Sequence, residues 1–256
     1  MFGSRLLKPR LPVVVAAGLL CVAADGCPSV ALLVSKQTSR FSPTWRTRGP
    51  CVAYFPQNGA RLEPTPPPNP GEVMAGYKTA YFRGAEPARC DRWDYNPVEG
   101  VFDFDVDSVA RPRNRQDFQS ATLTLAEFRP NEPVRVVTDG GNGSLPEARN
   151  KCYMRVGLAT GLWTPGAEPS GFVPHQPLAA VDPRIEISEK YVPGSAILDV
   201  TAEVGAWYRG EVTELGFVLY PDDPSGEDSH SSNVCLGFYT FSLGITLTDP
   251  PPPPGG

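Results

Sequence analysis

The stretch Val101-Phe102-Asp103-Phe104-Asp105-Val106-Asp107 decides the fold, because apolar and acidic residues alternate along it without a break. Successive side chains of a β-strand point to opposite faces of the sheet. Phe102, Phe104 and Val106 would therefore share one face, and the three aspartates would share the other. The pattern predicts a strand that is buried on one side and solvated on the other.

Similar segments recur along the chain, with turn-forming residues between them. The other alternating or aromatic-rich segments are 121–125, 184–188, 215–220 and 238–243. Clusters of Gly, Pro, Asp and Asn separate them at 139–143, 165–166, 193–194 and 221–226. Short strands punctuated by such turns predict an all-β protein, an antiparallel β-sandwich over residues 71–248.

One short helix is expected inside this β region. Val200, Val204 and Trp207 stand at positions i, i+4 and i+7, which places them on one face of a helix over 202–207. Asp199 or Thr201 is the candidate cap. The same spacing predicts that Trp207 points into the core.

Composition excludes several classes of protein. Of 256 residues, 30 are proline and 25 are glycine, and both disfavour long helices. A chain with 41% hydrophobic and 20% charged residues is too apolar to be disordered as a whole. The net charge of −5, with no large basic patch, argues against nucleic-acid binding. The two histidines, His175 and His230, are expected as exposed loop residues.

Residues 1–26 have the three parts of a secretory signal peptide. Arg5, Lys8 and Arg10 precede an uncharged segment, 11–24, which ends in small residues. An uncleaved anchor over 11–34 is the alternative, but it would place Asp25 inside the bilayer. We therefore expect an exported protein.

Cys27 directly follows this segment and resembles the lipidated cysteine of a bacterial lipobox. Ala24 and Asp25 depart from the aliphatic and small uncharged residues that the lipobox prefers. The resemblance implies a lipid anchor at the cell envelope or cell surface. Ordinary cleavage nearby, which would give a secreted protein, is the alternative.

The remaining cysteines fit an oxidising compartment. Removal of Cys21 with the signal and lipidation of Cys27 leave an even number, which allows two disulfides in three pairings. The disulfide candidates are Cys51, Cys90, Cys152 and Cys235.

Both ends of the β region are proline-rich. Residues 27–70 are expected to form an irregular stalk that closes on an extended polyproline spacer at 64–70. Residues 249–256 are expected to be a disordered tail. The predicted organisation is thus a signal peptide, a stalk, one β-sandwich domain and a tail.

Three blocks resemble a known family: 100–109, 120–125 and 198–219, the last with Asp199-Val200-Thr201, Val204 and Trp207 in order. They are similar to the DNRLRE-type modules, jelly-roll sandwiches related to carbohydrate-binding modules. The hexapeptide that names the family does not occur here, and residues 130–180 are longer and richer in Pro and Gly than the family pattern. The resemblance implies a jelly roll in an exported, surface-attached protein, and a role in sugar binding by analogy.

Sugar sites commonly combine aromatic platforms with polar side chains. Trp93 with Tyr95, and the loop of Trp163, fit this description and are the candidate ligand-binding residues. Partial burial of Trp93 and Trp163 against the sandwich is the competing interpretation.

No cofactor is expected from the sequence. The aspartates at 103, 105 and 107 have the first spacing of a calcium loop, but Ser108 and Pro112 replace its Gly and Glu. A Ca²⁺ site that joins one of them to Asp139 or Asn142 remains an alternative. No catalytic residue is singled out.

The sequence thus predicts a non-catalytic binding module, most plausibly for polysaccharide. The alternatives are a structural or adhesive envelope protein, whose partner would be another envelope protein, and a glycan-active enzyme with paired carboxylates.

Overall fold

A computed structural model covers the 256-residue chain. The described residues are 29–41, 44–48, 69–83, 91–110, 117–131, 133–134, 136–138, 147–149, 151–165, 172–179, 184–188, 190–222 and 233–248. Signal peptide 1–26, Cys27, Cys51, Cys90, the spacer up to 68 and tail 249–256 lie outside them, as does the side chain of Trp93.

Thirteen strands and two helices make up the described chain. The strands are β1 Ser29–Phe41, β2 Thr44–Arg48, β3 Glu72–Arg83, β4 Asp91–Phe104, β5 Asp117–Pro130, β6 Val136–Thr138, β7 Glu147–Arg149, β8 Lys151–Ala159, β9 His175–Pro177, β10 Arg184–Ser188, β11 Ala196–Asp199, β12 Phe217–Pro221 and β13 Val234–Thr248. The helices are α1 Asp107–Ala110 and α2 Thr201–Tyr208. In the described part of the chain, no helix is long and apolar enough to cross a membrane.

Eleven of the strands form one antiparallel sheet that folds into two layers. The order is β10-β8-β12-β4-β1-β13-β5-β11; β2 pairs with β4, and β9 pairs with β8. Strands β1 and β3 each pair with both β4 and β13 and so pass between the layers. We call β10-β8-β12-β4 the first layer and β13-β5-β11 the second. The predicted all-β sandwich is confirmed.

Aromatic rings fill the space between the layers. Phe102 of β4 stacks on Phe241 of β13, with centroids 4.5 Å apart and planes 8° from parallel. Phe104 contacts Phe102 edge-on, and Phe217 stacks on Phe102. All four rings are at most 1% exposed, and each buried Phe side chain contributes about 1.5–3 kcal/mol. The predicted inward face of the deciding strand is confirmed.

A disulfide between Cys152 of β8 and Cys235 of β13 joins the two layers. Their Cα atoms are 6.2 Å apart, and both side chains lie in the core. Two of the four candidate cysteines therefore pair with each other.

Helix α2 covers one end of the core. Val200 and Val204 are fully buried and Trp207 is 8% exposed, with its ring 5.1 Å from that of Phe217. The predicted helix and its inward face are confirmed. The Asp199 carboxylate accepts a hydrogen bond from the Thr201 N–H at 2.9 Å, which satisfies one of the free donors at the helix start.

Two sequence expectations differ from the structure. Residues 29–41 and 44–48 are strands of the main sheet, so the irregular stalk predicted from residue 27 does not describe them. In β1, Lys36 is exposed, whereas Leu32 and Thr38 are buried. The strand predicted to reach Asp107 ends at Phe104, because Asp105 accepts a hydrogen bond from Ser108 and turns the chain into α1.

Candidate functional site

A cleft formed by described residues opens at the end of the sandwich where β4 finishes. Its volume is about 650 Å³, within the range of small-molecule sites. Its walls are the middle of β1, the turn between β4 and α1, and the connection from α2 to β12. We call it the end cleft, and its lining residues are Ser35, Lys36, Asp103, Phe104, Asp105, Asp107, Trp207, Gly210, Glu211, Val212, Thr213 and Glu214.

Asp103 lines the end cleft and has partners for both carboxylate oxygens. Its Oδ1 accepts from the Phe104 N–H at 2.8 Å, and its Oδ2 lies 3.5 Å from Lys36 Nζ. The Asp103 side chain is 11% exposed, whereas that of Lys36 is 62% exposed. The expectation that all three aspartates form a solvated face is therefore wrong for Asp103, which the neighbouring strand and the α2–β12 connection cover.

Glu214 meets Asp103 from the α2–β12 connection. Gly216 makes this approach possible: its φ is +82°, and a Cβ atom there would lie 2.4 Å from the Phe102 carbonyl oxygen. A glycine is therefore needed where this connection enters β12 beside β4. The consequence is that two acidic side chains, 111 positions apart in the sequence, share one site.

The charge state of Glu214 follows from this placement. Burial raises the pKa of Glu214 to about 9, and a hydrogen bond with Asp103 together with the negative charges of Asp103 and Asp107 adds to the effect, while Lys36 opposes it. Glu214 is thus a neutral carboxylic acid at pH 7. Its Oε1 is buried without a hydrogen-bond partner.

The other polar groups of the end cleft stand on its rim. Asp105 and Asp107 are exposed, as are Glu211 and Thr213. Trp207 closes the base with its edge, since its ring packs into the core. The cleft therefore offers several oxygen acceptors, one protonated carboxyl and one ammonium group around a small apolar floor.

The structure does not bring the predicted aromatic platform into this cleft. Tyr95 is half-buried and packs on the core, with its ring 6.0 Å from that of Tyr77. Trp163 is half-buried over Val101 and Val218, and its Nε1 donates to the Leu215 carbonyl at 2.6 Å. Trp163 thus anchors its loop to the outer face of the first layer.

A second cluster involves a histidine that sequence reasoning placed in an exposed loop. His175 is 24% exposed, and its Nδ1 lies 3.2 Å from Oε1 of Glu99, whose side chain is fully buried. The exposed-loop expectation is wrong for His175, since β9 packs against the sheet. The available signal in the sequence was Glu99 itself, an acid two residues before the alternating stretch that begins at Val101.

Among the described residues, no group of three or more His, Cys, Asp or Glu side chains converges closely enough to hold a metal ion. Asp139 and Asn142, the alternative calcium ligands, lie outside those residues.

Comparison with models of protein families, with curated proteins and with solved structures finds no match for this chain.

Proposed function

We propose that this chain is an exported, surface-attached, non-catalytic binding module, and that its end cleft holds a segment of polysaccharide. The observation that carries the proposal is the cleft itself, about 650 Å³ of polar space lined by carboxyl, hydroxyl and ammonium groups over the edge of Trp207. Each sugar hydroxyl both donates and accepts, so it pairs with carboxylate acceptors and with the Glu214 and Lys36 donors.

The charge of the cleft narrows the class of polysaccharide. Three aspartates and Glu211 face a single lysine, and Glu214 is neutral at pH 7. Such a cleft repels uronates and sulfated sugars and favours neutral or amino sugars. We therefore expect the ligand to be a glycan without acidic groups.

Binding without cleavage fits the carboxyl geometry better than hydrolysis does. A glycosidase holds its two carboxyl groups about 5–9.5 Å apart, on either side of the scissile bond. Asp103 and Glu214 instead form a hydrogen bond with each other. A proton donor works best when its pKa lies near the working pH, and a pKa of about 9 is too high for efficient transfer at neutral pH.

Export and attachment form the other part of the proposal. The Cys152–Cys235 disulfide suits an oxidising compartment, and the signal peptide with Cys27 supplies the route. The resemblance to DNRLRE-type modules and the jelly-roll connectivity stay predictions. Mass spectrometry of the mature N-terminal peptide from the native host tests the anchor: an unacylated N-terminus on a secreted chain would reject it.

The test of binding uses the full oxidised chain on an array of neutral, amino and acidic glycans. We expect retention of a neutral or amino glycan, and a loss of affinity of about 10- to 100-fold when Asp105 and Asp107 are both replaced by Asn, because two charged acceptors are lost. Glu127→Gln removes an exposed carboxylate outside the cleft and is the matched control.

Three outcomes would reject the proposal. A folded chain that retains no glycan, but captures an envelope protein, would indicate the structural role instead. Equal loss of affinity in the Glu127→Gln control would place the binding surface elsewhere. Release of shorter products from a bound glycan would make the chain an enzyme.

A further inference from the structure

A short segment lies across the outer face of the first layer, away from the end cleft. We call residues 172–177 the strap; it contains β9, which pairs with the last three residues of β8. The Thr160 N–H donates to the Pro174 carbonyl at 2.7 Å. Val173 is 2% exposed and packs on Val101 and Val218. The strap therefore buries an apolar strip of the sheet.

The strap also covers Glu99, a carboxyl group with no exposure to solvent. Glu99 Oε2 accepts a hydrogen bond from the Val173 N–H at 3.1 Å, and Oε1 lies 3.2 Å from His175 Nδ1. Both partners belong to the strap. A buried carboxylate is costly unless it is compensated, so the strap supplies the groups that make burial of Glu99 tolerable.

Gly157 of β8 lets the backbone of β9 lie close against β8. A Cβ atom at Gly157 would lie 2.7 Å from the Gln176 carbonyl oxygen and 3.4 Å from the His175 ring. The imidazole of His175 lies against Tyr220 of β12, with centroids 4.3 Å apart and ring planes 36° from parallel. The glycine at position 157 thus allows the strap to lie close on the first layer.

The charged groups around His175 come from each neighbouring strand. Glu99 of β4 faces it directly, and Tyr220 of β12 lies against its ring. Next to Tyr220, Asp222 pairs with Arg155 of β8 at 2.7 Å and with Arg184 of β10 at 4.0 Å, which leaves one net positive charge there. Arg40 of β1 stands in register directly opposite Glu99, so these two side chains lie on the same face of the sheet.

We propose that the His175–Glu99 pair is a pH-sensitive latch: the imidazolium holds the strap over the first layer, and loss of its proton releases the strap. The direction follows from linkage. The hydrogen bond to Glu99 raises the pKa of His175 above its usual value; burial opposes this, and the hydrogen bond to the Val173 carbonyl adds a smaller increase. The ion pair fully stabilises the closed strap below pH 6.5, the usual pKa of histidine. This stabilisation is lost as the pH rises through the raised pKa of His175 in the folded chain.

The first measurement needs no variant. The chain has two histidines, so NMR titration of the full chain gives two imidazole curves, which His230→Gln assigns. We expect the His175 curve above pH 6.5. Amide hydrogen exchange of Val173, corrected for the intrinsic rate at each pH, should show more opening above that pKa. The increase should be about tenfold for each pH unit by which the His175 pKa exceeds its usual value.

Two conservative variants separate the latch from simple packing. Glu99→Gln keeps the shape but removes the charge, so the pH dependence of Val173 opening should vanish and the His175 pKa should fall. In His175→Gln, opening at the Val173 amide should be the same at every pH. Its level should equal the one that the wild type reaches at high pH. His230→Gln is the matched control and should keep the wild-type response.

The proposal is overturned by any of three results. His175 titrating at or below pH 6.5 in the wild type would mean that the pair is not ionic. Protection of Val173 that is equal on both sides of the pKa would mean that the pair does not hold the strap. A Glu99→Gln variant with the wild-type pH response would place the sensor elsewhere.

Discussion

Glu99 and Asp103 lie on the same face of β4, four residues apart, yet they face opposite surroundings. Glu99 is sealed beneath the strap and meets an imidazole. Asp103 borders an open cleft and meets a lysine on one side and a second carboxyl on the other. One strand therefore carries two acids whose roles come from their partners.

The comparison shows what a strand decides and what it leaves to the rest of the chain. The strand fixes the direction and spacing of both side chains. The partner from a distant segment sets the charge balance. His175, whose pKa is raised, lies beside Glu99, whereas Glu214 takes up a proton beside Asp103. Burial is thus tolerated in one place by pairing and in the other by neutralisation.

The largest expected effect is that of removing Glu99. Glu99→Ala leaves the Val173 N–H and the His175 ring without their buried partner, which should cost about 3 kcal/mol of unfolding free energy at pH 6. Asp103→Ala should cost less, about 1 kcal/mol, because it removes a hydrogen bond to the neutral Glu214 and an ion pair with the largely exposed Lys36. Urea denaturation of both variants measures the difference, and equal losses would contradict the comparison.

A smaller effect is expected at Glu214. Because the pKa of Glu214 is raised to about 9, the folded chain holds a proton that the unfolded chain releases above pH 4.5, so stability falls as pH rises from about 4.5 to 9. Glu214→Gln should remove this loss, with a gain of about 1–2 kcal/mol at pH 8 once solvent screening is allowed for, and little gain at pH 4.

Thermal unfolding of the wild type and Glu214→Gln at the two pH values measures this gain. The Glu211→Gln variant changes an exposed carboxyl in the same connection and serves as the control. A gain that is the same at pH 4 and pH 8 would show that Glu214 does not titrate in this range.

The smallest effect is expected at Lys36. Its ammonium is 62% exposed, so the ion pair with Asp103 should contribute about 0.5 kcal/mol. Because Lys36 also lowers the pKa of Glu214, Lys36→Met should move the Glu214 titration to higher pH. NMR of the Glu214 carboxyl carbon detects that movement, and a movement toward lower pH would reverse the assignment of charges.

The sequence predicted the elements whose pattern is local. The alternation at 121–125 and 184–188 placed Leu123, Leu125, Ile185 and Ile187 inside, and all four are at most 1% exposed. The helical spacing of Val200, Val204 and Trp207 worked for the same reason. Strand β1 escaped prediction because its apolar start continues the signal segment and its later charges suggest a solvated stalk.

Neither carboxyl pair was predictable, since both depend on contacts between distant segments. His175 meets Glu99 from 76 positions away, on a strand that Gly157 allows to lie close to β8. Glu214 reaches Asp103 only because Gly216 lets β12 approach β4. The Trp163 ring is of the type that stacks on sugars, but its Nε1 donates a hydrogen bond to the Leu215 carbonyl, which holds the ring against the sheet.

The early start of β1 limits how far the domain can stand from a membrane. Ser29 already pairs with Thr246, and only two peptide units separate Ser29 from Cys27, a reach of about 7 Å. Ser35, on the wall of the end cleft, follows about 20 Å further along the strand. If Cys27 carries lipid, no stalk separates the β-sheet from the anchored residue, and the end cleft lies within about 27 Å of Cys27.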